Sequence, residues 1–105
     1  MPIFRVHHLV EPELNEARAW YADRSAIADE NFALRFDTAL KRISERPSSH
    51  APWRSIFRRC RVIQFPYLIL FHSDRRFTSV LMLVHKRREP ENVIVAARDR
   101  LARFA

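Results

Sequence analysis

The stretch from Phe77 to His85, which reads FTSVLMLVH, contains an unbroken apolar run of five residues from Val80 to Val84, and no apolar run in the chain is longer. Successive side chains of a β-strand point to opposite faces of a sheet, so a strand that is apolar at every position needs cover on both faces. A run of five also falls far short of the roughly 20 apolar residues that a membrane-spanning helix needs. The stretch therefore predicts a central strand in a sheet that is covered on both faces.

Two more strands are predicted directly before this one. Residues Ile56 to Phe65 contain apolar residues at alternate positions, and Tyr67 to His72 is a short, nearly continuous apolar run, so both segments are predicted as strands. The links between the three strands are only Phe65-Pro66 and Ser73–Arg76, and such short links join antiparallel neighbours. A fourth, short strand is predicted at Ile3–His7, where the same alternation occurs.

Between the first strand and the others, apolar residues recur at helical spacing. A first helix is predicted to open at Glu11-Pro12-Glu13, because proline is tolerated in a first turn and carboxylates there meet the positive end of the helix dipole. Ser25 is predicted to cap a second helix, which Pro47 ends. The two helices form an αα-hairpin that must cover an apolar surface. The apolar stripe of the second helix comprises Phe32, Phe36, Ala39, Leu40 and Ile43.

A third helix is predicted to begin near Pro90, with Val93, Ala97, Leu101 and Phe104 on one face. The predicted order is therefore strand, helix, helix, strand, strand, strand, helix. This order is that of an α+β fold in which the N-terminal helical hairpin packs on a small, mainly antiparallel sheet. A length of 105 residues fits a single domain, predicted to span residues 1–105.

The charge of the chain points to an anionic partner. Lysine and arginine number 19 against 12 aspartates and glutamates, which gives a net charge of +7, and 17 of the 19 are arginine. Such a field attracts nucleic acid, an acidic protein segment or an anionic membrane, and the guanidinium group suits bidentate contacts with phosphate and carboxylate. The composition equally fits arginines spread over a solvated surface, so their positions must decide.

Composition also excludes several classes of site. The chain has no glycine, which excludes the glycine-rich loops that bind nucleotide phosphates and leaves its tight turns to Asp, Asn and Ser. The lone Cys60 fits a reducing cytoplasm and is interpreted as a small buried apolar residue. The histidines show no clustered spacing with cysteine or acids, so neither a metal nor another cofactor is expected. These histidines are His7, His8, His50, His72 and His85.

Several short motifs occur along the chain, and their order matters for the family resemblance that they show. In the helical hairpin they are Glu13-Leu14-Asn15-Glu16-Ala17, Trp20-Tyr21, Ala28, Phe32, Ala39-Leu40, Ile43 and Pro47. In the C-terminal part they are Phe65–Phe71, Val80-Leu81 and Val84–Pro90. This ordered set resembles the RelE and ParE toxin superfamily, and ParE-like toxins in particular, from about Ile3 to Arg100. The most specific part of the resemblance is the Phe-Pro-Tyr strand followed by His-x-x-Arg-x-Pro.

The resemblance implies a small cytoplasmic toxin of a type II toxin–antitoxin pair, a plasmid stabilisation system. Its partner is then a cognate antitoxin, whose disordered, acidic C-terminal segment wraps the toxin in a hetero-oligomer, with or without a toxin homodimer, and no membrane is involved. ParE-like members act on DNA gyrase and hold it on cleaved DNA, whereas RelE-like members cut mRNA on the ribosome. The two kinds share a fold, so the residues of the site must distinguish them.

Metal-free cleavage of RNA needs a base for the 2′-OH, cations for the phosphate and an acid for the leaving oxygen. If the chain is such an endoribonuclease, the candidates are His85, Arg87 and Arg61, although a strand-end histidine hydrogen-bonded to backbone is the favoured interpretation of His85. The resemblance to RelE weakens at two places. Leu68 stands where those ribonucleases carry an arginine, and Val93 stands near the place of their tyrosine. No catalytic residue is therefore expected, and gyrase poisoning is favoured over mRNA cleavage.

A groove between the helical hairpin and the sheet is expected to receive the acidic segment of the antitoxin. Glu13 and Glu16 are expected to be solvated on the exposed face of the first helix. A third alternative is a basic nucleic-acid-binding domain with no toxic activity. The basic rim expected around the groove comprises Arg58, Arg59, Arg61, Lys86, Arg87 and Arg88.

Overall fold

The fold was taken from a computed structural model, which describes residues 1–104. Three helices and four strands follow one another in the predicted order, and a short 3-10 turn at Pro47–Ser49 ends the hairpin. The strands are β1 (Ile3–Val6), β2 (Arg58–Val62), β3 (Tyr67–Ser73) and β4 (Phe77–His85), and the helices are α1 (Val10–Ala22), α2 (Ala26–Glu45) and α3 (Pro90–Ala102). The α+β prediction is confirmed, and no helix among the described residues is long and apolar enough to cross a membrane.

The sheet has the strand order β1-β4-β3-β2, so β4 is an inner strand, as its apolar run predicts. The pairs β2–β3 and β3–β4 are antiparallel, whereas β1 runs parallel to β4. Every residue of β4 from Thr78 to Val84 is buried. Because β1 has only four residues and pairs with Phe77–Val80, the second half of β4 has no strand beside it on that side.

Each face of the sheet packs against helices through its own apolar cluster. On one face the α1–α2 hairpin contributes Val10, Ala17, Phe32, Phe36, Ala39 and Ile43 to a cluster with Cys60, Val62, Ile69, Phe71, Val80 and Leu83. On the other face α3 contributes Val93 and Ala97 to a cluster with Phe57, Leu70, Leu81, Met82 and Val84. The prediction that β4 is covered on both faces is thereby confirmed. Cys60 is buried, as predicted, and burial raises the pKa of its thiol.

Aromatic rings fill one end of the hairpin cluster. Phe32 of α2 is fully buried and stacks on Tyr21 with a centroid separation of 5.2 Å. Its ring edge contacts Phe65 at 4.9 Å and Tyr67 at 5.1 Å, both in the T-shaped geometry that aromatic quadrupoles favour. Side chains from α1 and from the β2–β3 turn therefore pack against the same residue of α2, Phe32.

The turns show how a chain without glycine changes direction. Ser25 caps α2 by accepting a hydrogen bond from the Ala28 backbone N–H, as predicted. Asp74 accepts bonds from two backbone N–H groups of the β3–β4 turn, which lower the pKa of its carboxyl. Among the described residues the positive backbone φ angles belong to Ser55 at 54° and Gln64 at 76°. Serine fits the prediction, but glutamine takes a left-handed position that was expected to need Asp, Asn or Ser.

Two predicted strands end earlier than expected. β2 covers Arg58–Val62 rather than residues 56–65, because the positive φ of Gln64 turns the chain and the Phe65 N–H bonds back to the Val62 carbonyl. β1 stops at Val6 because the next residue, His7, already belongs to the turn that leads into α1. The His7 carbonyl accepts from the Val10 N–H, and its Nδ1 accepts from the Leu9 N–H. Burial lowers the pKa of the His7 imidazole.

Candidate functional site

A cleft of about 460 Å³ lies between α1 and the C-terminal half of β4. α1 forms one wall, the Pro66–Tyr67 start of β3 forms the end, and the last residues of β4 form the floor. The residues that line the cleft are Glu13, Glu16, Ala17, Trp20, Tyr21, Pro66, Tyr67, Leu83, Val84, His85 and Arg88.

The cleft exists because β4 is longer than the strand beside it. The Lys86 N–H donates to the Pro66 carbonyl at 2.9 Å, so the backbone N–H of Lys86 points toward the β3 side of the strand. Backbone groups alternate in direction along an antiparallel strand, and the register pairs Tyr67 with His85 and Ile69 with Leu83. The N–H and carbonyl groups of Leu83 and His85 therefore point away from β3, toward α1 and the cleft.

Two side chains bind the part of this open edge that lies nearest to β1. The Leu83 N–H donates to Glu13 Oε1 at 3.0 Å, and Arg100 Nη1 donates to the Leu81 carbonyl at 2.9 Å. The same arginine forms a two-armed ion pair with Glu13, at 3.1 Å from Nη1 to Oε1 and 2.8 Å from Nη2 to Oε2. The expectation that Glu13 is merely solvated is wrong, because its side chain is only 19% exposed and joins α1, β4 and α3.

After the Leu83 N–H, toward the C-terminal end of β4, the backbone edge of the strand faces the cleft. The Leu83 carbonyl and the His85 N–H lie on the same side of the strand as the N–H that Glu13 binds. An acceptor and a donor two residues apart are what a sheet offers to an added strand. The floor of the cleft can therefore bind an extended peptide through main-chain hydrogen bonds.

The walls of the cleft are mainly aromatic. Trp20 is 52% exposed, and the Arg24 guanidinium lies 3.5 Å from the centroid of its ring. Tyr21 and Tyr67 are half-buried, and burial raises the pKa of both phenols. Neutral phenols and an exposed indole offer an apolar or aromatic guest side chain a surface on which to pack. Glu16 on α1 and Arg88 on the opposite side supply the polar margin.

His85 occupies the end of β4 in the arrangement expected of a strand-end histidine. Its Nδ1 accepts the Arg87 backbone N–H at 3.1 Å, and its carbonyl accepts the Arg88 N–H at 3.0 Å. The ring also contacts Tyr67 edge-on at 5.1 Å. The imidazole thus stabilises a turn that leaves the side chains of Lys86, Arg87 and Arg88 exposed, and of these only Arg88 lines the cleft.

The arginines of β2 lie elsewhere on the sheet. Cross-strand partners share a face, so Arg61 lies with its partner Leu68 on the α3 face. Arg59 shares that face, and Arg58 lies with Cys60 on the hairpin face, as predicted from strand alternation. His85 pairs with Tyr67 on the hairpin face. The cross-strand register therefore assigns Arg61 and His85 to opposite faces of the sheet.

Leu68 and Val93, which replace the arginine and tyrosine expected of a RelE-type ribonuclease, have a clear structural role. Val93 is 1% exposed, and Leu68 packs against the same apolar cluster beneath α3. Neither residue lines the cleft. Residues 1–104 also contain no group of three or more His, Cys, Asp or Glu side chains that could hold a metal ion.

Three residues of the cleft region were not singled out as site residues by the sequence, namely Glu13, Trp20 and Arg100. Trp20 stands out in the sequence only as part of the Trp20-Tyr21 motif, and its 52% exposure is visible only in the fold. Glu13 and Arg100 are 87 positions apart, so no local spacing links them. Only the way in which α1 and α3 flank β4 brings the two charges together.

Comparison with known proteins gives the family. No family model matches the chain. The chain is 30% identical over 90 residues to the toxin ParE2 of Mycobacterium tuberculosis, in both strain CDC 1551 / Oshkosh and strain ATCC 25618 / H37Rv. The aligned region covers 85% of this chain and 86% of the relative, so the similarity extends over the helical hairpin and the sheet together. The chain therefore belongs to the ParE family of toxins.

Proposed function

We propose that the protein is the toxin of a type II toxin–antitoxin pair, that a cognate antitoxin silences it by direct binding, and that its target is DNA gyrase. The observation that carries the antitoxin site is the cleft, where an open strand edge, aromatic walls and Arg88 occur together. The proposed site of action is the cytoplasm, and the proposed function calls for no metal or other cofactor.

The antitoxin segment is proposed to lie in the cleft as an extended strand beside β4. Its main chain bonds to the Leu83 carbonyl and the His85 N–H, and an apolar side chain enters between Trp20 and Tyr67. An acidic residue of the segment meets Arg88, and the neighbouring Lys86 and Arg87 speed the encounter. Hydrogen bonds to the main chain supply affinity here, whereas the aromatic pocket and the cation supply specificity.

Truncation of the aromatic wall is expected to weaken the complex strongly. We expect Trp20→Ala to raise the antitoxin Kd by about 30-fold, or about 2 kcal/mol, because exposed tryptophans that anchor an interface behave as hot spots. The variant should keep nearly its full stability, since half of the indole is already solvated. Titration calorimetry with the purified antitoxin measures the effect.

A matched control tests the location of the site. Leu34 lies on α2 at 62% exposure and outside the cleft lining, so Leu34→Ala should leave the Kd unchanged. Arg88→Glu should slow association more than it speeds dissociation, whereas Arg75→Glu in the β3–β4 turn should change the rates much less. Equal Kd values for Trp20→Ala and Leu34→Ala would rule out the cleft as the antitoxin site.

Gyrase is proposed as the target in preference to mRNA because the ribonuclease constellation is incomplete. Arg61 and His85 belong to opposite faces of the sheet, and Leu68 and Val93 belong to the apolar cluster beneath α3. His85 also uses Nδ1 in its own turn. One imidazole with exposed arginines beside it does not provide the base, the acid and the cations around the phosphate that RNA cleavage requires together.

Expression without antitoxin distinguishes the functions. We expect growth arrest with accumulation of covalent gyrase–DNA complexes and intact mRNA. Primer extension on translated mRNA is the parallel measurement. Cleavage within codons that disappears in His85→Ala and Arg87→Ala would instead establish the RelE-like endonuclease, and harmless expression would point to a non-toxic nucleic-acid-binding domain.

A further inference from the structure

The positive charge of the protein is concentrated in one segment. Residues 41–61 contain seven lysines and arginines and one acid, a net charge of +6, whereas the rest of the chain has a net charge of only +1. A solvated surface with randomly spread arginines would not concentrate the charge in a fifth of the sequence. The seven cations are Lys41, Arg42, Arg46, Arg54, Arg58, Arg59 and Arg61.

The fold gathers this segment at a single edge of the sheet. It comprises the last turn of α2, the connecting loop and β2, and β2 is the outermost strand on the side opposite β1. Arg58 donates to the His50 carbonyl at 2.7 Å and so fastens the loop to the strand. The ion pairs among residues 1–104 are Arg18–Asp29, Glu13–Arg100 and Asp99–Arg103, and none of them includes a cation of this edge.

The cations stand on both faces of the edge strand. Arg59 and Arg61 are exposed on the α3 face, about 6.6 Å apart along the strand because two residues separate them by two rises of about 3.3 Å. On the hairpin face, Arg42 and Arg46 line a cavity of about 430 Å³ with Glu45, Ser49 and His50. This cavity has no apolar side chain in its lining, in contrast to the aromatic cleft beside α1.

We propose that this edge, named here the basic edge (residues 41–61), binds the phosphodiester backbone of nucleic acid. Six of its seven cations are arginines, whose planar forks match phosphate oxygens, and rows of unpaired cations suit a ligand whose charge repeats along its length. A peptide segment would require apolar anchors for affinity, and those lie in the cleft beside α1. The basic edge is separate from the antitoxin site proposed above, so either assignment can fail alone.

Salt dependence tests the basic edge directly. The probes are a short fluorescent DNA duplex of mixed sequence and a single-stranded RNA of equal length, titrated with the full chain at several salt concentrations. Each lost phosphate contact lowers the slope of log affinity against log salt by about 0.9 for duplex DNA and about 0.7 for a single strand. Arg59→Gln/Arg61→Gln should therefore lower the duplex slope by about 2 and the affinity at least tenfold. The higher wild-type affinity at equal salt concentration identifies the nucleic acid that the edge prefers.

The control variant removes two positive charges at a site outside the basic edge. Arg75 and Arg76 are exposed in the β3–β4 turn, and Arg75→Gln/Arg76→Gln should leave the slope close to that of the wild type. Equal losses in the two double variants, or none in either, would overturn the proposal, since the net charge alone would then account for binding. Thermal unfolding checks that both variants fold.

A second measurement, the affinity for the antitoxin, tests whether the basic edge is separate from the antitoxin site. We expect Arg59→Gln/Arg61→Gln to bind the antitoxin as the wild type does. If this variant lost antitoxin affinity while its binding of duplex and RNA stayed unchanged, the edge would be the antitoxin's basic rim and the proposal would be wrong.

Discussion

Replacement of Phe32 with alanine is expected to lower the free energy of unfolding by about 3 to 5 kcal/mol, the range for truncation of a fully buried aromatic residue. Phe32 has no exposed surface and contacts the rings of Tyr21, Phe65 and Tyr67. The cavity would therefore open where α1, α2 and the β2–β3 turn meet. Urea unfolding followed by circular dichroism measures the change.

The effect reaches the cleft, because two of the rings that Phe32 supports also line it. Tyr21 and Tyr67 would lose their packing partner, so antitoxin affinity should fall together with stability in Phe32→Ala. Phe4→Ala is the matched control, since Phe4 lies on the edge strand β1 and is 37% exposed. A loss of stability in Phe32→Ala no larger than that in Phe4→Ala would contradict the central role of this ring.

Replacement of Glu13 with alanine should cost about 2 to 3 kcal/mol, less than the 3 to 5 kcal/mol for breaking a fully buried ion pair because both partners retain some exposure. The side chains of Arg100 and Glu13 are 14% and 19% exposed. Without the carboxylate, the guanidinium keeps only its bond to the Leu81 carbonyl, and the Leu83 N–H loses its acceptor. Chemical denaturation of the purified variant gives the value.

A double-mutant cycle separates the pair from its neighbours. Arg100→Met and Glu13→Leu should each destabilise the fold, and the double variant should lose at least about 1 kcal/mol less than the two single losses added together. The exposed Asp99–Arg103 pair is the control, and Asp99→Ala should cost less than about 0.5 kcal/mol. Additive losses at Glu13 and Arg100 would show that the two charges act independently.

Much of the fold follows from local patterns. The stripe from Phe32 to Ile43 indicates α2, Ser25 marks its start, and an uninterrupted apolar run indicates that β4 is covered on both faces. These features depend on neighbours in the sequence, so the sequence alone reveals them. Strand ends were less well predicted, because a left-handed glutamine at position 64 has no compositional signal in a chain without glycine.

The site was harder to predict because it depends on pairings between distant segments. Alternation along β2 correctly separates Arg58 from Arg59 and Arg61, but only the register across three strands relates Arg61 to His85. The open edge of β4 follows from the short length of β1, and the contacts of Glu13 follow from where α3 packs. Neither feature is encoded in a spacing that a motif search could detect.

The parallel pairing of β1 with β4 also sets an order of events during synthesis. The first strand, Ile3–Val6, can pair only after Phe77–Val80 has been made, and Glu13 of the cleft gains its ion pair only after Arg100 has been made. Contacts between such distant segments form slowly, because a long loop must close before they stabilise anything. While the chain is being translated, its α1–α2 hairpin therefore remains without the sheet that completes the site. The surface proposed to bind the antitoxin therefore forms only near the end of synthesis.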